Sequence, residues 1–310
     1  MQDLLHWAIE HSDPEVLKQQ AYGAAAGAPT PERLSDLQEL MEAMRQEPSE
    51  AELIQLAANV LSNDTSDDQQ RLDSLEALAY LVEPIDNAND LKVLGAVGPI
   101  IRQLESGTPQ VQASAAHVLG VAASNNMRFQ ADALEAQPRL MHILLQIALK
   151  GHAEATPRSL YAAGAFARSG QEGAALFLSA NGLQALTELL KDPLQRASVQ
   201  RKALDLIADL AGLEINLQGA ESAGLHAAVL SSAVQSGWDI KERAMLTLAA
   251  LLKADAHSVH LLNALGAATK LQENWSELQD VGYREELQQL HASVIHMLAS
   301  SRANAFPDEL

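Results

Sequence analysis

Chemistry needs a few side chains at fixed spacing, and this chain offers two histidine pairs and one pair of carboxylates. His257 and His260 stand three residues apart, and His291 and His296 five apart. Zinc requires four converging nitrogen, sulfur or oxygen donors, and neither pair has a cysteine or a carboxylate at ligand spacing. Asp205 and Asp209 share one helix face at i, i+4. Two carboxylates can divide acid–base work, but on a helix of a repeat array they more often make a solvated or partner-facing edge. G-x-x-x-x-G-K-[ST], G-x-G-x-x-G, G-x-S-x-G and H-E-x-x-H are all absent. There is no cysteine, which excludes thiolate catalysis and a disulfide framework. The chain reads as a non-enzyme with no catalytic residue, no metal site and no cofactor.

What the residues do show is a period. A small or apolar pair, usually closed by glycine, leads into a leucine-rich helix. It stands at Ala96-Val97-Gly98, Glu135-Ala136-Gln137, Ala180-Asn181-Gly182, Ser222-Ala223-Gly224 and Ala264-Leu265-Gly266. The third residues are spaced by 39, 45, 42 and 42. Such a period marks stacked helical units of the armadillo or HEAT kind. These bury their apolar faces against neighbouring units and present an extended surface to other proteins. Gly98, Gly182, Gly224 and Gly266 read as structural punctuation.

Hydrophobic residues make up 47 % of the 310, yet aromatics only 4 %. The apolar content is mostly Ala and Leu, which suits close helix packing, and strand formers are sparse. The expected fold class is all-α, an armadillo-like right-handed helical solenoid with an N-terminal helical extension. The net charge of −19 is uneven: residues 1–100 hold 19 acids against 5 bases, and residues 101–310 hold 21 against 16. Nucleic acid and anionic membrane both want a basic patch, so neither is an expected partner. The acidic front is either a solvated surface or steers towards a partner with basic patches.

Asp3, His6 and Glu10 interrupt any signal-like apolar run. No stretch approaches the roughly 18 charge-free apolar residues of a membrane span. The ending Phe306-Pro307-Asp308-Glu309-Leu310 departs from an ER-retention tail by its proline. A soluble, monomeric protein of the cytoplasm or nucleus is expected.

Breaking and capping signals then divide the chain. Residues 1–28 make an N-terminal helical segment, in which Leu4, Leu5, Ala8 and Ile9 share a face before a flexible break. Residues 30–66 make a helical cap, 67–299 the solenoid, and 300–310 a frayed tail. The polar run Ser62–Asp68 caps a helix from Gln69 to Val82, and Ile85–Asp90 makes a turn into the first full repeat. The long second helices are predicted at Gln110–Ala123, Arg158–Arg168, Ser198–Ala211 and Lys241–Leu252. The closing helices are predicted at Ala267–Glu277 and Tyr283–Leu298. In armadillo units the long final helix lines the concave side, so its polar residues lead the contact candidates. Armadillo grooves that read nuclear-import signals use tryptophan and asparagine ladders there. Trp7, Trp238 and Trp275 all fall outside the predicted long helices, so this surface reads something else.

Three segments carry a family likeness. The opening Leu4-Leu5-His6-Trp7-Ala8-Ile9-Glu10-His11-Ser12 has the pattern L-L-x-W-[SA]-I-x-x-S. Leu81-Val82-Glu83-Pro84-Ile85-Asp86-Asn87-Ala88-Asn89-Asp90 has the pattern L-V-E-x-I-D-N-A-N-[DN], and Tyr283-Arg284-Glu285-Glu286-Leu287 the pattern Y-x-E-E-L. Together they resemble the armadillo-type nucleotide-exchange factors of heat-shock protein 70 chaperones, the Fes-one/Hsp70-binding-protein family. The resemblance implies that the concave face clasps one lobe of the chaperone's nucleotide-binding domain, forces the other lobe away and lets ADP leave. It also implies an N-terminal segment that competes with bound client, a part that Leu4, Leu5, Trp7 and Ile9 fit; the alternative for them is a helix capping the solenoid.

The candidate partner contacts are Glu76, Tyr80 and Glu83 at the acidic front. His117, Arg158, Tyr161, Arg168, Lys202, Asp205, Asp209 and Arg243 are the candidates on the long helices. Asp86, Asn87 and Asn89 read as caps and turn residues. The competing function is a generic armadillo scaffold for another protein or peptide.

Overall fold

The computed structural model describes residues 48–213, 224–235, 237–275 and 284–304. The expected N-terminal segment with Leu4, Leu5, Trp7 and Ile9 lies outside the described residues, as do Tyr283 and the chain beyond residue 304. Glu50–Leu310 forms one compact unit. Helices α1 (Glu50–Ser62) and α2 (Asp68–Leu81) open it. Triplets follow: α3 (Ile85–Asp90), α4 (Val97–Ser106) and α5 (Pro109–Ala123); then α6 (Met127–Ala136), α7 (Leu140–Leu149) and α8 (Ala155–Ala167). The third is α9 (Gln171–Ser179), α10 (Gly182–Lys191) and α11 (Ala197–Gly212). Helices α12 (Leu225–Gln235) and α13 (Trp238–Ala254) follow, then α14 (Ala256–Ala264), α15 (Ala267–Trp275) and α16 (Arg284–Asn304). There is no strand among the described residues.

Two parallel rows organise these helices. The final helix of each unit packs on the next, giving a ladder α2–α5–α8–α11–α13–α16. The middle helices form a second row, α1–α4–α7–α10–α12–α15. Between them runs one core of Ala, Leu, Ile and Val, with Phe129, Phe166 and Phe177 its largest fully buried side chains. Small residues set the close approach of α5 to α8: Ala113, Ala116, Gly120, Ala162 and Ala163 are all buried.

Helix ends are satisfied by side chains. The last carbonyls of a helix lack intrahelical partners, and amides or hydroxyls from the next element reach them. Gln103 Nε2 donates to the Leu61 carbonyl at 2.7 Å, Gln130 Nε2 to Ala123 at 2.7 Å, and Thr156 Oγ1 to Ala148 at 2.9 Å. Asn87 Nδ2 donates to the Leu81 carbonyl at 2.8 Å and to Glu50 Oε2 at 2.7 Å, the structural part expected of that residue. At the other ends, Asp67 and Gln70 form a reciprocal capping box on α2.

Several boundaries differ from expectation, each for a local reason. Ile85–Asp90 is a short helix, because Pro84 is extended and starts it rather than ending the chain's helicity. Helix α8 begins at Ala155 rather than Arg158, since Pro157 sits within the first turn where its missing N–H costs nothing. Helix α13 begins at Trp238 after an extended Gly237, so Trp238 does lie in a long helix. Helix α16 continues to Asn304, past the expected fraying point at Ser300. Helix α1, within the segment expected to be a helical cap, packs on both α2 and α4.

The glycine punctuation is also displaced. A left-handed residue precedes four of the middle helices: Gly95 (φ 70) before α4, Asn181 (φ 62) before α10, Gly224 (φ 66) before α12 and Gly266 (φ 68) before α15; α7 follows Arg139 at φ −95 instead. Gly98 and Gly182 instead lie inside α4 and α10. Gly182 is needed for space: a Cβ there would meet the Phe177 ring at 2.2 Å.

Candidate partner-binding face

The ladder is the element that positions the candidate contacts. On α2 and just beyond it, Asp73, Glu76, Tyr80 and Glu83 recur at i, i+3, i+7 and i+10, which makes one stripe. All four are exposed, Tyr80 at 73 %. The stripe looks towards α5: Asp73 and Glu76 line one groove with Gln110, Ser114 and His117 of that helix.

His117, Tyr161 and Lys202, from three successive ladder helices, form a continuous row. The His117 and Tyr161 rings lie 6.2 Å apart with a 47° tilt. Lys202 Nζ sits 5.6 Å from the Tyr161 ring centre on α8's other neighbour, within range of a cation–π attraction. The Tyr161 hydroxyl is 3.0 Å from Ser124 Oγ. Gly120 makes room for that ring: a Cβ there would stand 2.5 Å from Tyr161 Cδ1. Arg158 Nη1 donates to Ser114 Oγ at 3.2 Å. Partial burial, and then the Arg158 charge, hold the His117 imidazole below its ordinary pKa, while Glu83 opposes them. The balance favours the neutral form of the ring.

Further along, cations and carboxylates are already paired across helices. Arg168 Nε donates to Asp209 Oδ2 at 2.5 Å, and Arg243 Nη1 lies 3.5 Å from Asp205 Oδ1. Arg201 pairs with Asp239. The side chains of these pairs are 40–58 % exposed, so each pair contributes at most about 1 kcal/mol. The two aspartates of α11 are drawn to opposite neighbours, Asp205 to α13 and Asp209 to α8. They are struts between repeats and do not share an acid–base site.

Sequence reasoning missed Arg201 and Asp239, and it picked Asp205 and Arg243 without joining them. Both pairs are 38 residues apart, one repeat less one helical turn, and that spacing is the signal that finds them. His257 and His260 are exposed. No group of three or more histidine, cysteine or carboxylate residues fit to hold a metal occurs among the described residues. No described helix is long and apolar enough to cross a membrane.

Comparison with known proteins accords with this arrangement. The family "Nucleotide exchange factor Fes1" matches residues 1–91, and the "SIL1/FES1/HPBP1 C-terminal domain" matches residues 87–228. The Hsp70 nucleotide exchange factor FES1 of Yarrowia lipolytica is 30 % identical over 224 residues, covering 71 % of this chain and 73 % of its own. That of Coccidioides immitis is 33 % identical over 151 residues, covering 46 % of this chain and 67 % of its own. The nucleotide exchange factor SIL1 of Rattus norvegicus is 31 % identical over 134 residues, covering 43 % and 29 %. A designed armadillo repeat protein solved with a (KR)4 peptide superposes with a TM-score of 0.67 at 18 % identity, covering 79 % of this chain and 99 % of its own. At that identity the likeness shows the fold alone. The solenoid is thus an armadillo array, and the chain belongs to the Fes1 family of Hsp70 nucleotide exchange factors.

Proposed function

We propose that this chain binds the nucleotide-binding domain of a heat-shock protein 70 chaperone through the ladder face and accelerates the release of ADP, making and breaking no bond itself. Family membership supports the reading, and the observation that carries it is the continuous His117–Tyr161–Lys202 row on three packed helices. A surface mounted on one shared core keeps its own shape while the partner changes shape. Such a clamp binds the open, nucleotide-poor conformer better than the ADP-closed one, and by linkage it weakens ADP by the same factor. A thousandfold faster release requires about 4 kcal/mol of preference.

The candidate contacts then divide by place. Glu76, Tyr80 and Glu83 meet the partner at the acidic end. His117, Arg158, Tyr161 and Lys202 meet it at the centre, and Arg168, Asp205, Asp209 and Arg243 by exchanging their mutual ion pairs for pairs with the chaperone. We further propose that residues 67–299 are the clamp, that residues 1–28 displace bound client, and that the protein works as a monomer in the cytosol.

The test is reciprocity. Calorimetric titration into the chaperone without nucleotide gives one affinity, and titration with saturating ADP gives a weaker one. The ratio equals the loss of ADP affinity measured with this chain saturating. Equal affinities in both titrations contradict the mechanism.

A further inference from the structure

Resting on that reading of the partner, we infer that the groove between α2, α5 and the start of α8 seats a lysine- or arginine-bearing segment of the chaperone. The groove has a volume of 440 Å³, room for one or two long side chains. Leu72 and Ala79, both half-buried, give it an apolar wall. Lysine and arginine bury their methylene stems on such surfaces while the charged head reaches polar groups.

The head groups would find carboxylates. Asp73, Glu76 and Glu154 line the groove, and none of the three is in an ion pair with a described residue. Asp73 accepts only the Gln69 amide at 2.7 Å. Against them stand one guanidinium, Arg158, and the His117 imidazole, whose surroundings favour its neutral form. Three aspartates further along the ladder, on α11 and α13, differ in this respect: Asp205, Asp209 and Asp239 are each engaged by an arginine of a neighbouring helix. A cation arriving on the ladder therefore meets unpaired carboxylates at the α2 end. Tyr80, one turn beyond Glu76 and 73 % exposed, adds an aromatic face of the kind that anchors interfaces and attracts cations. Residues 48–100, which build this end, hold 10 acids against 2 bases, a balance that steers a basic surface to it.

The experiment compares charge-reversed full-length chains binding a heat-shock protein 70 at two salt concentrations. One carries Asp73→Lys, Glu76→Lys and Glu154→Lys. The control carries Asp64→Lys, Glu172→Lys and Glu188→Lys, exposed residues off the ladder helices that alter net charge equally. Circular dichroism verifies helicity, and the milder Asp73→Asn/Glu76→Gln pair serves if the triple fails to fold. The groove variant is expected to bind at least about tenfold more weakly with a flattened salt dependence, and the control within about twofold of the parent. A groove variant that binds like the parent overturns the inference and leaves the exchange reading standing. A parent chain that neither binds nor accelerates ADP release overturns both.

Discussion

Tyr161 shows how single residues build the ladder face. Its ring lies over Gly120, its hydroxyl meets Ser124, and His117 and Lys202 flank it. Gly120→Ala is therefore expected to displace the ring, cost about 1–3 kcal/mol of stability by overpacking, and weaken chaperone binding. Tyr161→Phe keeps the ring and loses only the hydroxyl contact. Urea melts and a binding titration on both variants check this; full binding by Gly120→Ala would place the ring outside the interface.

His117 makes a second residue-scale prediction. Its folded pKa is lowered, chiefly by partial burial, so the unfolded chain takes up a proton first as pH falls. The resulting loss of stability is absent well above the unfolded value of about 6.5 and grows below it. His117→Gln is expected to lose less stability than the parent between pH 7.5 and 5.5, as read from urea midpoints. Parallel losses in the two proteins would show that the ring does not feel this environment.

At the scale of elements, helices are joined by two kinds of strut. Buried ones cap carbonyls, as when Gln103 reaches Leu61 and Gln130 reaches Ala123, each at 2.7 Å. Leaving a buried carbonyl unpaired costs about 1–3 kcal/mol, so Gln103→Leu is expected to lower the melting temperature measurably without changing helix content. Exposed struts such as Arg243–Asp205 are weak and remain exchangeable. Reversing Lys202 and Arg243 together is expected to weaken chaperone binding with helicity unchanged, and an unaltered titration would remove both from the interface.

The long helices were legible because their apolar stripes are local, as Leu75 and Leu78 recur at i, i+3 and are buried as that spacing demands; the short first helices α3, α6, α9 and α14 were not, since six to ten residues carry too little of a stripe. The starts of α8 and α13 were not, because Pro157 and Gly237 look like breakers until first-turn tolerance and capping are considered. The pairing of Asp205 with Arg243 was hidden for a different reason. It depends on how one repeat is turned against the next, and a helix read alone carries no such phase.

At the scale of the whole molecule, the repeats share one core and each is stabilised by its neighbours, so the ladder is a continuous body. Exposed carboxylates without an ion pair, Asp73 and Glu76, stand at its α2 end, while α8, α11 and α13 are cross-braced by arginine–aspartate pairs. Such a body does its work through where it is stiff and which partner conformer it fits. Deleting residues 1–28 is expected to preserve ADP release and slow client release; both activities persisting undiminished would make that segment a cap only. The central claim is tested most directly by stopped-flow release of a fluorescent ADP analogue from a cytosolic heat-shock protein 70. Acceleration that rises with the concentration of the full chain and then saturates is expected. A release rate unchanged at concentrations where binding is complete would contradict it.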